Sequence, residues 1–131
     1  MADRFQLRVV TPTSETVNET VFEVTAPGTV GEFGILPDHA AFLSSLEIGV
    51  IRYRGAAGER RVAIREGFAE ISDNVMTVLS EEAATEIDGE SARADLQAAR
   101  AKLADLSVFN EGYQDADADR RWAEARLALS K

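Results

Sequence analysis

Hydrophobic and polar residues alternate along most of the first 82 positions. Phe5, Leu7 and Val9 alternate with Gln6 and Arg8, Phe22 and Val24 with Glu23 and Thr25, and Ile51 and Tyr53 with Arg52 and Arg54. Val62 and Ile64 alternate with Arg61 and Ala63, and Val75, Thr77 and Leu79 continue the theme. A period of two predicts antiparallel strands with one solvated face. Thr11-Pro12, Pro27-Gly28, Gly55-Ala56-Ala57-Gly58 and Asp73-Asn74 supply the turns between them. About 8–10 such strands predict a small antiparallel β-sandwich or flattened barrel.

Beyond Ser80 the spacing changes. Leu96, Ala99, Leu103 and Leu106 fall at helical intervals, and so do Ala118, Trp122, Ala125 and Leu129. Asp88 is a plausible N-cap for the first helix, Asp115 or Asp117 for the second, and Gly112 lies in the break. Leu96, Leu103, Trp122 and Leu129 are the expected hairpin-packing residues, with Trp122 at the helix–helix seam. The chain therefore reads as α+β in two parts: an N-terminal β-sandwich over residues 1–83 and a C-terminal antiparallel two-helix hairpin over residues 84–131. Helices of this length are marginal in water unless their apolar stripe is covered. The hairpin is accordingly expected to dock on the sandwich or on a partner, and to be the more mobile half.

Composition narrows the function classes. The 131 residues carry 14 Lys+Arg against 23 Asp+Glu, a formal net charge of −9. Such a chain is repelled by nucleic acid and by anionic membrane surfaces, so neither is expected as a partner, and no direct lipid anchor is expected. Zero Cys excludes a disulfide scaffold, a thiolate zinc site and a Cys nucleophile. A single His, His39, excludes any site that needs two imidazoles. No apolar run approaches the roughly 18 residues that span a bilayer. Met1-Ala2-Asp3-Arg4-Phe5 runs straight into a strand pattern, with no signal or transit segment expected. The reading is a soluble, acidic protein of a reducing compartment.

Catalytic constellations fail one by one. Asp115, Asp117 and Asp119 alternate like a calcium loop, but Arg120 and Arg126 stand where its Gly and bidentate Glu belong. Gly28, Gly31 and Gly34 lack a following Gly-Lys-Ser/Thr. Glu81 and Glu82 are adjacent and would face opposite ways on a strand. His39 has Ser44 and Ser45 nearby but no elbow motif. A half-buried, backbone-bonded His39 and an interface role for it both stay open. No enzyme, cofactor or metal site is expected.

The segment Gly31-Glu32-Phe33-Gly34-Ile35-Leu36-Pro37-Asp38-His39-Ala40 resembles the signature of the ε subunit of F-type ATP synthases, called δ in mitochondria. Val9-Val10-Thr11-Pro12 resembles that family's opening strand and turn, and Gly49-Val50-Ile51-Arg52 its central strand. Gly67-Phe68-Ala69-Glu70-Ile71 and Asn74-Val75-Met76-Thr77-Val78-Leu79 resemble its last two strands. The resemblance covers the whole chain, because the family carries a helical hairpin after its sandwich. It implies a non-catalytic rotor subunit at the foot of the central stalk, coupling c-ring rotation through the γ subunit to ATP synthesis in the αβ catalytic head. It also implies a peripheral place on the cytoplasmic face of a bacterial inner membrane, or the stromal side of a thylakoid. Glu32 matches the position that meets basic c-ring loops, and Phe33, His39 and Arg52 are the other expected interface residues. The alternative is a free-standing β-sandwich module regulating another complex.

Two departures from the family stand out. Some members bind ATP through Ile-Asp-x-x-Arg-Ala at the first helix. Here Ile87-Asp88-Gly89-Glu90-Ser91-Ala92 keeps Asp88 but has Ser91 in place of the Arg. Arg93 lies about 200° around a helix from that place and Glu90 adds negative charge, so no useful ATP binding is expected. The second helix balances Arg120, Arg121, Arg126 and Lys131 against Asp115, Asp117, Asp119 and Glu124. This neutrality implies at most weak control of ATP hydrolysis through a transient contact with the α/β head.

Overall fold

The computed structural model describes residues 3–130. Met1 and Ala2 of the N-terminal reading, and Lys131 of the second helix's basic set, lie outside the described residues. Nine strands precede two helices among the described residues: β1 Phe5–Val10, β2 Glu15–Gly28, β3 Gly31–Ile35, β4 Phe42–Leu46, β5 Gly49–Gly55, β6 Gly58–Ile64, β7 Gly67–Ser72, β8 Val75–Ser80, β9 Ala83–Ala84, α1 Gly89–Ala104 and α2 Tyr113–Leu127. A 3-10 turn, Ala128–Ser130, follows α2.

The strand order is β1-β8-β7-β4-β2-β5-β6-β9, with β3 also on β2 and β1 returning to pair with β2. The 14-residue β2 is therefore the shared wall. Its first half pairs with β1, while its second half carries β3 on one side and β5 on the other. This is the expected β-sandwich followed by two helices, with one addition. β1 and β8 run parallel, a pairing between distant segments that local alternation does not reveal. Leu7, Val9, Val21, Val24, Ile35, Ile51, Val62, Ile64, Met76 and Val78 fill the interior. Their burial is the main cohesive force of the fold.

Two strands differ from the expected facing. Val75, Thr77 and Leu79 do not form the inner row of β8; Met76 and Val78 are fully buried and Leu79 is 54% exposed. The cause is the β7–β8 hairpin. Asp73 and Asn74 both take positive φ, 51° and 63°, as a tight hairpin turn requires. The resulting register sets Ile71 against Met76 and Ala69 against Val78. Opposed residues share a face, so a shift of one residue turns the whole strand over. On β2, Val21 and Val24 are buried while Phe22 is half-buried. An irregularity between Val21 and Glu23 in the β2–β5 ladder accounts for the lost phase.

Gly67 holds a turn position that no side chain fits. Its φ is 147°, and a Cβ would stand 1.9 Å from the Leu79 carbonyl oxygen. The β9 pairing with β6, Ala63↔Ala84 and Ile64↔Ala83, carries sheet hydrogen bonding through residue 84. Four residues, 85–88, then lead to α1. Asp88 caps α1 by accepting from the Ser91 N–H at 3.1 Å. The second helix starts earlier than expected, at Tyr113. Its N-cap is Gly112 in the left-handed region, not Asp115 or Asp117, and no side chain caps it.

Candidate functional site

The first half of the signature segment, Gly31–Ile35, folds as strand β3 and residues 36–40 as the loop after it: Glu32 lies opposite Pro27, and the β2–β3 turn consists of Thr29 and Val30. Glu32 reaches across β2 to β5, where Arg52 Nη2 donates to its Oε1 at 3.2 Å. Both side chains are well exposed. Arg54 pairs with Glu23 on the same outer face, whereas Arg60, opposite Tyr53, pairs with Glu19 on the other face. Arg52 and Arg54, which alternation places on the solvated face, are there, each matched by a glutamate. Arg61 instead points to the helices and donates to the Ala128 carbonyl at 3.3 Å.

Phe33 is half-buried against the core and meets Phe42 edge-on, ring centroids 5.3 Å apart. His39 meets the same Phe42 ring at 5.8 Å. His39 is exposed, not half-buried, and its Nδ1 lies 2.7 Å from the Ala40 carbonyl oxygen. Asn74 holds this loop in place. Its Oδ1 accepts from the Asp38 N–H at 2.8 Å, and its Nδ2 donates to the Arg4 carbonyl at 2.6 Å. The four residues therefore fall in two separate groups: the Glu32–Arg52 ion pair lies over the outer face of β2, while Phe33, opposite the buried Ala26, turns to the other face of β3 and meets, with His39, the Phe42 ring.

Sequence reasoning missed the apolar row beside them. On the outer face, Val10, Leu79, Phe68 and Ser45 lie side by side across β1, β8, β7 and β4. Leu79 and Phe68 are more than half exposed, and Leu43 one row on is 69% exposed. Ser45 touches Thr29, so the row runs on to the β2–β3 turn with its fully exposed Val30. Exposed apolar residues in a contiguous row mark an interaction surface. Only the tertiary register, which turns Leu79 outward, exposes it.

The hairpin residues fall differently from expectation. Trp122 is buried, but it packs at the hairpin–sandwich junction on Ala63, among Ile48, Val50 and Ala84, with Arg126 over its ring at 5.5 Å. Leu129 lies beyond α2 and packs there too. Leu96 and Leu103 are only half-buried. Apart from Trp122, the enclosed helix positions are alanines: Ala92, Ala99, Ala116, Ala123 and Ala125. Small residues let helices approach closely, and leucines then remain at the rim.

The residues examined for chemistry have other partners. Asp117 pairs with Arg120 at 2.8 Å and Asp119 with Arg65 at 2.7 Å. Burial works against the Arg65 charge, while the hydrogen bond and charge of Asp119, with Glu82 and Glu81, raise its pKa on balance. Asp88 serves as a helix cap, and Ser91 offers that cap its backbone N–H. Tyr53 faces the core but its hydroxyl donates to Glu19 at 3.1 Å. Burial, then the charge and hydrogen bond of Glu19, push its pKa up to about 12.

Residues 4–86 match the family model of the ATP synthase delta/epsilon chain β-sandwich domain. The chain belongs to the ATP synthase delta/epsilon family. It is 39% identical to the ATP synthase epsilon chain of Geobacter metallireducens, with 99% of this chain and 96% of that one aligned. It is 44% identical to the epsilon chain of Carboxydothermus hydrogenoformans over 79% of each. The fold also matches a chain in the Euglena gracilis mitochondrial ATP synthase (OSCP/F1/c-ring), with a TM-score of 0.81, 23% identity and coverage of 100% and 84%. A chain of the Tetrahymena thermophila central stalk and c-ring matches at 0.62, with 15% identity and 96% of each covered. At such identities these two matches establish the fold. The match to the Euglena chain spans this whole chain, hairpin included. No helix among the described residues is long and apolar enough to cross a membrane.

Proposed function

We propose that this chain is the non-catalytic ε-type subunit of the central stalk of an F-type ATP synthase, turning with the rotor and coupling c-ring rotation to ATP synthesis. The observation that carries the surface assignment is the exposed row Val10–Leu79–Phe68, which runs toward the turn beside Glu32. A closed sheet circuit with few free edges suits a body that transmits torque. The apolar row is the docking face for the γ subunit, where burying Leu79 and Phe68 supplies non-directional adhesion. Glu32 supplies charge toward the polar loops of the c-ring, giving register more than raw affinity. In that contact Glu32 exchanges Arg52 for a partner's basic group. Phe33 and His39, flanking Phe42, make a second and separate contact.

The division of labour follows the two parts: the sandwich, residues 1–83, docks, and the hairpin, residues 84–131, adds weak regulation by transient contact with the α/β head. The bacterial origin of the relatives supports a position on the cytoplasmic face of the inner membrane, held by protein partners and not by lipid.

Affinity purification of the tagged chain from its native membranes tests this reading. γ and the c-ring are expected to co-purify, and Leu79→Asp with Phe68→Asp is expected to abolish their recovery while leaving the isolated chain folded. Native purification without γ, or recovery of an unrelated complex, would overturn it.

A further inference from the structure

Acidic side chains ring the exposed apolar row. Val10, Pro12, Phe68 and Leu79 line an open groove of about 690 Å³, and Glu66 and Glu81 stand at its rim. Glu81 is exposed and follows the buried Ser80 just as Leu79 precedes it, so alternation carries its side chain to the outer face. One row along, Glu70 lies between Leu43 and Thr77, exposed on the same face as Phe68.

These three glutamates differ from others on the sandwich. Glu15, Glu19, Glu23 and Glu32 each hold an arginine of β1, β5 or β6. Among the described residues, Glu66, Glu70 and Glu81 form no ion pair. Two arginines stand nearby, and both are engaged. Arg8, two strands from Glu70 in the same row, donates to Glu15 from Nε at 2.9 Å and from Nη2 at 2.6 Å. Arg65, which precedes Glu66, holds Asp119 at 2.7 Å and lies 3.7 Å from the Glu82 carboxylate. The charge of the rim is therefore not balanced from within the chain.

Glu66 also carries a backbone cost. Its φ is 48°, in the left-handed region, and the Ser80 hydroxyl lies 2.7 Å from its carbonyl oxygen and holds the turn. The other described non-glycine residues at positive φ are Asp38, Asp73 and Asn74, types that tolerate it. Glutamate gains no such local compensation, and glycine would adopt this φ without strain. Strain retained under an exposed charge beside an apolar groove is a mark of function.

We propose that Glu66, Glu70 and Glu81 are the specificity-determining rim of the docking row, and that the partner surface they select is an apolar ridge flanked by lysines or arginines. This rests on the reading of the row as the docking face for γ, and states the chemistry on γ that meets it. Leu79 and Phe68 supply adhesion without direction, while the three charges steer the approach and fix how the partner lies. An apolar surface with acidic flanks is rejected by like-charge contact at the same points.

Recovery of the partner complex from native membranes by the tagged full-length chain, washed at rising KCl, tests this. The wild-type chain is expected to lose its partner progressively as salt rises. The triple variant Glu66→Gln, Glu70→Gln and Glu81→Gln is expected to recover about fivefold less at low salt, with little further loss as salt rises. Glu59→Gln makes the same change of charge on β6 and is expected to alter nothing. Glu66→Gly is expected to raise the melting temperature of the isolated chain while lowering recovery, a combination that a merely structural residue would not give. Wild-type recovery of γ by the triple variant, salt-independent recovery by the wild type, or an equal loss from Glu59→Gln would overturn the rim and leave the γ reading standing. A lower melting temperature in Glu66→Gly would do the same. Recovery of an unrelated complex by the wild type, lost in the triple variant, would support the rim and overturn the γ reading. Recovery of no partner by the wild type would overturn both.

Discussion

Arg52 and Glu32 sit on different strands, β5 and β3, and close an ion pair at 3.2 Å over the strand between them. The acid of the signature segment is thus occupied from within the chain. Because both groups are well exposed, the pair contributes about 0.5 kcal/mol or less to stability. Glu32→Gln should leave the melting temperature within a degree or two and lower proton pumping driven by ATP in reconstituted vesicles. Arg52→Gln, which frees the acid, should not lower it. Equal pumping defects in both variants would contradict the exchange of partners.

Trp122 reports on the hairpin because it is buried against the sandwich. Its emission in the folded chain should be that of a shielded indole. Trp122→Ala removes the largest piece of the seam, and large-to-small changes at buried aromatics cost about 3–5 kcal/mol. The loss should fall on α2, seen as lost amide protection there with the sandwich intact. A solvent-exposed emission spectrum in the native chain would contradict this packing.

Tyr53 makes stability sensitive to alkali. Its pKa is raised to about 12 by burial and by Glu19, so the folded state holds the phenolic proton more tightly than the unfolded chain does. The contribution is fully present below the unfolded value of about 10 and is lost as pH rises from there through the folded value. Tyrosinate absorbance should show one late-titrating group, and Tyr53→Phe should remove it. Midpoints for both tyrosines near the ordinary value would refute the assignment.

Asp88 is engaged in capping α1, Ser91 rather than an arginine stands three residues after it, and Glu90 lies between them. Calorimetric titration of the isolated chain with ATP should give no saturable heat in the sub-millimolar range. Asp88→Ala should cost about 1 kcal/mol through the lost cap, whether or not nucleotide is added.

Alternation and turn residues, by themselves, determined that residues up to the early eighties form a small sandwich and that two short helices follow. They also located the α1 cap at Asp88 and the signature acid at Glu32. These properties are local, written in neighbours within a few positions. The facing of β8, the parallel β1–β8 pair, the Gly112 start of α2 and the surface that Trp122 covers were decided only by the tertiary structure. A period of two states that a strand has two faces but not which one is inside; the Asp73–Asn74 turn chose, and with it put Leu79 and Phe68 on the outside. A helical stripe states that something covers it but not what. Ala63, Val50 and the ion pairs around them answered that, because they come from strands some 60 residues earlier in the chain. The exposed Leu79–Phe68 row and the ion pairs between hairpin and sandwich are both products of such distant pairings, which is why they were the least legible from sequence alone.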